Sequence, residues 1–252
     1  MTSIEKGIGI LVIAHGSNDR KWVQMIEEAV QRVDTNFPLV IGYLELVEGK
    51  SIAAGVSLLE KMHVKKILAV PLFVCSGSTH LEEIKYALGV IDEPRLETSL
   101  QRINTDADII WGEAMDAHPL IVNIVVERAR RLSVAPENEV LLLTAHGSEH
   151  PGFHEVWEDT LQKLTCSIKK ALHFSEVFYG TLHPDTLLVK AQEAIASKKQ
   201  LVVVPVFLSE GYFTSAVIPE KLKGIPYQWS GDTHLPHPLI SRWMQEVIQK
   251  YV

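Results

Sequence analysis

The sequence predicts an α/β protein built from two tandem, doubly wound parallel-sheet units of flavodoxin-like type. Three observations carry that expectation. The runs ILVI (10–13), ILAVPLFV (67–74), VLLL (140–143) and LVVVPVFL (201–208) are continuously apolar, as are strands of a parallel sheet covered on both faces. Stretches with helical periodicity separate them. The order of landmarks also occurs twice, which is the signature of a duplicated unit.

The first unit opens with GILVIAHGS (9–17), a strand that ends in Ala14-His15-Gly16-Ser17. The stretch RKWVQMIEEAVQRV (20–33) then sets Trp22, Ile26, Ala29 and Val33 on one helical face with charges between them. VIGYLEL (40–46) reads as the second strand, SIAAGVSLLEKMHV (51–64) as a crossover helix and KKILAVPLFVCSG (65–77) as the third strand. ADIIWGEAMDAHPLI (107–121) gives a fourth strand, and Pro119 stands where a terminal helix begins, a favoured place for proline.

The second unit repeats the series as NEVLLLTAHGS (138–148), SEVFYGTLHPD (175–185), TLLVKAQEAIASK (186–198), KQLVVVPVFLSEG (199–211) and IPYQWSGDTHLPHPLI (225–240). Pro238 matches Pro119. His15 precedes Gly77 by 62 residues, and His146 precedes Gly211 by 65. The boundary falls near SVAPENE (133–139), giving an N-terminal unit of residues 1–135 and a C-terminal unit of residues 136–252.

Composition narrows the function. The chain has 252 residues, 46% hydrophobic and 22% charged, with a net charge of −7. That balance fits a globular core and argues against general nucleic-acid or anionic-membrane binding, both of which need basic surface. No apolar run approaches the roughly 20 residues of a membrane span. The start MTSIEKG carries an acidic residue and leads into a strand, so no signal peptide is expected. Cys75 and Cys166 lie too far apart in sequence to suggest a disulfide framework or a metal-cysteine spacing, and a reducing cytoplasm is the expected compartment.

In doubly wound sheets ligands bind at the carboxyl ends of the strands, where strand order reverses. His15 follows a buried strand at that rim. Gly16 lets the chain turn, and Ser17 is placed to cap the next helix. After the third strand, SGSTHLEEI (76–84) adds His80, Glu82 and Glu83, and the second strand ends with Glu45 and Glu48. Aligning Gly77 with Gly211 sets Thr214 opposite His80, so the first unit holds two histidines where the second keeps one. Histidines and carboxylates on separate strand ends suit an open metal site or acid–base chemistry. Glu82 and Glu83 are also where a helix N-terminus favours acidic residues for its dipole alone.

AHGS after the first strand, LEL after the second and PLF…G…H…E after the third resemble the class II tetrapyrrole chelatases of the CbiX/SirB type, in their long two-unit form. The likeness covers nearly the whole chain. It implies two chelatase-like lobes with a cleft between them, no organic cofactor, and insertion of Co²⁺, Fe²⁺ or Ni²⁺ into sirohydrochlorin on the way to cobalamin or sirohaem. It also implies that His15 and His80 are the metal ligands and Glu45 a catalytic carboxylate. The likeness of STHLEEI to the His-x-Glu element of protohaem ferrochelatases nominates Glu82. The chain departs from the family's shorter G-x-H in having Gly77-Ser78-Thr79-His80.

The chemistry agrees with these residue types. Imidazole binds Co²⁺, Ni²⁺ and Fe²⁺ when neutral, and free imidazole titrates near about 6.5. Insertion also removes two pyrrole protons, which a neighbouring carboxylate can accept. A substrate rich in carboxylates needs local cations or helix N-termini in an acidic protein, and Ser17 and Arg20 sit where they can meet it. His146, the repeat of His15, is expected to help bind substrate. A carrier that binds Co²⁺ or Ni²⁺ without catalysis is the alternative. A phosphohydrolase with a histidine nucleophile would want an arginine beside the histidine, where Ala14 and Ala145 stand.

Overall fold

A computed structural model describes residues 7–252. The start of the chain, read above as no signal peptide, lies outside the described residues over positions 1–6. The elements alternate as the apolar pattern predicts. They run β1 (Ile8–Ala14), α1 (Arg20–Gln31), β2 (Leu39–Tyr43), α2 (Ile52–Lys61), β3 (Lys66–Pro71), α3 (Thr79–Ala87), β4 (Asp108–Trp111) and α4 (Pro119–Leu132). The repeat follows as β5 (Glu139–Gly147), α5 (His154–Leu172), β6 (Glu176–His183), α6 (Leu187–Ala196), β7 (Gln200–Pro205), α7 (Ile218–Lys221), β8 (Tyr227–Gln228) and α8 (Pro238–Tyr251).

Both sheets are wholly parallel, with orders β2-β1-β3-β4 and β6-β5-β7-β8. The chain moves from β1 outward to β2, then crosses back over β1 to β3. The reversal puts the switch point at the carboxyl ends of β1 and β3, and of β5 and β7. The registers correspond: Ala14 lies opposite Tyr43, and Ala145 opposite Thr181. Ile10, Leu11, Val12 and Ile13 of β1 are fully buried, and truncating one of them to alanine should cost about 2–5 kcal/mol. Leu11 and Ile13 join Ile52, Val56, Leu59, Ile67 and Ile84 in one core; Val140, Leu142, Leu187, Leu201, Val203 and Ile218 form the counterpart.

The compact units do not divide where the repeat does. One comprises the chain up to Met115 together with Ile240–Val252, and the other Asp116–Leu239. The bounds of these units fall between Met115 and Asp116 and between Leu239 and Ile240, not at residue 135. The apolar stripe of α4 packs on α5 and β7, within the second unit. That of α8 belongs to the first unit, where Ser241 Oγ donates to the Ala29 carbonyl at 2.7 Å and Lys250 pairs with Glu113. Both helices begin with the same device, since His118 Nδ1 accepts from Leu120 N at 3.3 Å and His237 Nδ1 from Leu239 N at 3.2 Å. These histidines cap the Pro-started helices.

No helix among the described residues is long and apolar enough to cross a membrane. Neither Cys75, which is buried, nor Cys166, which is exposed, forms a disulfide.

Candidate functional site

His15 is the first residue past β1, and its place depends on Gly16. Gly16 has φ +103, and a Cβ there would stand 1.9 Å from the Glu45 carbonyl oxygen. Only glycine lets the backbone after β1 lie so close to the turn after β2. Glu45 N donates to His15 O at 3.0 Å across this junction. The two side chains follow: His15 Nε2 is 3.6 Å from Glu45 Oε1. That is too long for a hydrogen bond, and close to the roughly 2.9–3.4 Å between two ligands that share one ion at bonds of about 2.0–2.1 Å.

His80 sits in the first turn of α3, beyond β3, where the switch point faces β1. Its ring centroid lies 4.7 Å from that of His15, with the planes at 76°. Two imidazoles that bind one ion through bonds of about 2.0–2.1 Å, at angles of about 90–110°, have centroids roughly 4.5–5.2 Å apart. The pair fits that spacing.

Each ring is also held in one tautomer. His15 Nδ1 lies 3.1 Å from the Gly16 carbonyl oxygen, which can only accept, so Nδ1 donates. His80 Nδ1 lies 2.6 Å from Glu83 Oε1 and donates to that carboxylate, whose other oxygen accepts from Thr98 Oγ1 at 3.0 Å. In the neutral rings the lone pair then resides on Nε2 in both. A carboxylate behind a histidine is the usual device for fixing a metal-binding imidazole.

The structure gives three of these residues surroundings that the sequence did not indicate. Glu82, nominated as a catalytic carboxylate, is buried at 9% exposure and committed to Arg95. It accepts from the Arg95 backbone N–H and from Nε at 2.6 Å. Burial works to raise its pKa, but the Arg95 hydrogen bonds and charge outweigh it and hold the carboxyl below its ordinary value. The carboxylate that touches His80 is Glu83, three residues along α3, because i and i+2 on a helix do not face one another. Ser17 does not cap α1. Asp19 does, accepting from Lys21 N at 2.9 Å, while Ser17 Oγ accepts from Asp19 N at 3.0 Å. Glu45, read with the second strand over 40–46, lies beyond it. The strand ends at Tyr43, which is buried, whereas the Glu45 side chain is 54% exposed in the following turn. Arg20 is the exposed first residue of α1, and Glu48 lies exposed in the turn after β2.

The second unit builds the same junction with other side chains. Gly147 has φ +77, and its Cβ would stand 2.0 Å from the His183 carbonyl oxygen. His183 therefore occupies the place of Glu45. His146 and His183 have centroids 4.8 Å apart with planes at 38°. Phe213 meets His146 edge-on at 5.1 Å, while Thr214, aligned with His80 in sequence, turns its hydroxyl to the Gly211 carbonyl at 3.1 Å. Among the described residues, no group of three or more histidine, cysteine, aspartate or glutamate side chains is arranged to hold an ion by itself. His15 and His80 stand together, with Glu45 farther from His15.

The CbiX family model matches residues 9–132 and again 140–250. Curated relatives named sirohydrochlorin cobaltochelatase match over about half of the chain. That of Methanopyrus kandleri is 25% identical over 139 residues, 49% of this chain and 95% of its own length. That of Sulfolobus acidocaldarius is 27% identical over 125 residues, 49% of this chain and 91% of its own. Among solved structures, SirB from Bacillus subtilis with Fe³⁺ has a TM-score of 0.75 at 18% identity, covering 97% of this chain and 95% of that one. DR2241 from Deinococcus radiodurans, a multi-domain protein with structural similarity to chelatases, has a TM-score of 0.66 at 17% identity. The match covers 96% of this chain and 54% of that one.

Proposed function

The chain belongs to the CbiX family over both of its repeats, and we propose that it inserts a divalent metal into sirohydrochlorin. The metal is a substrate and the reaction uses no organic cofactor. The observation that carries this reading is the His15–His80 pair, 4.7 Å apart, with each Nδ1 committed to an acceptor. The two Nε2 atoms hold the ion on one side of the macrocycle. With only two firm ligands, the ion keeps exchangeable positions and can pass to the ring nitrogens.

Glu45 supplies what the imidazoles do not. Its exposed carboxylate stands 3.6 Å from His15 Nε2, in the turn after β2. There it balances part of the ion's charge and accepts a pyrrole proton as the ring closes on the metal. Glu83 acts through His80: it fixes the ring and its tautomer, and so is a positioning residue. Arg20 and Ser17, at and just before the start of α1, are assigned to the substrate's carboxylates. The reading takes Co²⁺ as the metal, the one named for the curated relatives. Two cysteines outside any disulfide fit a reducing compartment, and the reaction is assigned to the cytoplasm.

The test is an anaerobic absorbance assay of the protein with sirohydrochlorin and Co²⁺, Fe²⁺ or Ni²⁺ in turn. Insertion faster with protein than without it, and fastest with Co²⁺, supports the reading. Tight metal binding with no change in the rate of insertion would replace it with the carrier.

A further inference from the structure

We propose that the second unit carries its own transition-metal site, made by the imidazoles of His146 and His183. The ion it takes is a late divalent cation such as Co²⁺, Ni²⁺ or Zn²⁺. Three observations lead there. The centroid separation of 4.8 Å falls within the roughly 4.5–5.2 Å that two cis imidazoles on one ion require at bonds of about 2.0–2.1 Å. Both histidines are exposed, at the end of β5 and the end of β6, so an ion reaches them from solvent and a water completes its shell. His146 Nδ1 lies 3.0 Å from the Gly147 carbonyl oxygen, which can only accept, so the neutral ring presents its lone pair on Nε2.

The backbone fixes this pair as firmly as it fixes His15 and Glu45. Gly147 lies opposite His183 in the β5–β6 register, and a side chain there would collide with the His183 carbonyl. Phe213 opens a π-helical turn over Phe213–Val217 and stands edge-on to His146 at 90°, which limits rotation of that ring. π-Helical turns recur at functional sites.

The donor set differs in kind from that of the first unit. Imidazole has replaced the carboxylate, and an aromatic ring lies against the first histidine where the first unit has a second imidazole. Two neutral nitrogens leave the full charge on the ion and offer no carboxylate to take a proton. Such a site binds a metal and holds it, without the proton removal that insertion needs. It favours ions that prefer nitrogen over harder ions that prefer oxygen. His146, expected from the sequence to bind substrate, becomes a metal ligand here.

The experiment is equilibrium dialysis of the full chain against Co²⁺, with the first site disabled by His15→Ala and His80→Ala. The folded double variant should retain one equivalent of Co²⁺. Adding His183→Ala should weaken that binding at least tenfold. A double variant that binds no Co²⁺ overturns the proposal, as does one whose equivalent survives His183→Ala. Where His183→Ala lowers the melting temperature, the electron-paramagnetic spectrum of Cu²⁺ bound to the double variant decides. Two coupled imidazole nitrogens support the site, and one or none overturns it. Because the ligands of the first unit are absent throughout, failure leaves the reading of His15 and His80 where it stood.

Discussion

At the end of its first strand each unit sets Ala-His-Gly-Ser on the same bent backbone, with a glycine pressed against the carbonyl of a residue at or just past the end of the neighbouring strand. In the first unit that residue is Glu45, and in the second it is His183. Across the switch point the first unit adds His80, backed by Glu83, while the second brings Phe213 against its histidine. The scaffold is shared and the donors are not. One junction therefore offers two nitrogens and an exposed carboxylate, the set proposed to pass on a metal and accept a proton. The other offers two nitrogens and an aromatic wall, the set proposed to hold one.

The most direct way to break this contrast is to remove the first unit's imidazoles. His15→Ala and His80→Ala should each lower the rate of metal insertion by more than about a hundredfold, since losing a residue behind the ligand alone typically costs 10–100-fold. Circular dichroism should show the fold intact, because both side chains are on the rim. His146→Ala should cost less than either. Equal losses from His146→Ala and His15→Ala would mean that both units share the insertion step.

Glu45→Gln tests whether the carboxylate is what separates the two units. The amide keeps the shape and loses the charge. Turnover should fall by about a hundredfold, the low end of what a positioned base contributes, at an unchanged melting temperature. Normal turnover with a lower melting temperature would make Glu45 a structural residue and turn attention to Glu48. Glu83→Gln should act more gently, with Co²⁺ affinity and turnover falling together by about tenfold. A purely structural Glu83 would move the melting temperature and leave Co²⁺ affinity alone.

Much of this was legible in the sequence, and the failures have physical causes. The parallel sheets followed from apolar runs, and the duplication from repeated landmarks. The counterpart of Glu45 was also present, because Gly42-x-Leu44-Glu45 and Gly180-x-Leu182-His183 stand in the same frame. It was hidden by Pro184, which makes His183 read as a turn residue. Glu83 was readable from the i, i+3 rule, yet the His-x-Glu likeness pointed to Glu82. The exchange of α4 and α8 between compact units could not be read, because the repeat places each helix after its own sheet. Which surface covers its apolar stripe is a long-range matter that local pattern does not encode.

Glu82 carries the smallest expected effect on turnover and sharpens the comparison of adjacent residues on one helix. Its carboxylate faces Arg95, so Glu82→Gln should leave metal insertion unchanged. The cost should appear in stability. The Arg95 side chain is 59% exposed, so solvent screens the pair, and a loss of about 1 kcal/mol is expected near neutral pH. For a chain of this size that lowers the melting temperature by about 2–4 °C. The pH dependence has a definite sign. The folded-state pKa of Glu82 lies below its ordinary value of 4.5, so its contribution is complete above that value and is lost as pH falls through the lowered one. Melting curves of the parent and of Glu82→Gln should therefore differ at neutral pH and converge in acid. A fall in insertion rate at constant melting temperature would instead give Glu82 a part in the chemistry. The Arg95 pairing would then have to open during turnover, and Arg95→Ala should change the rate as well.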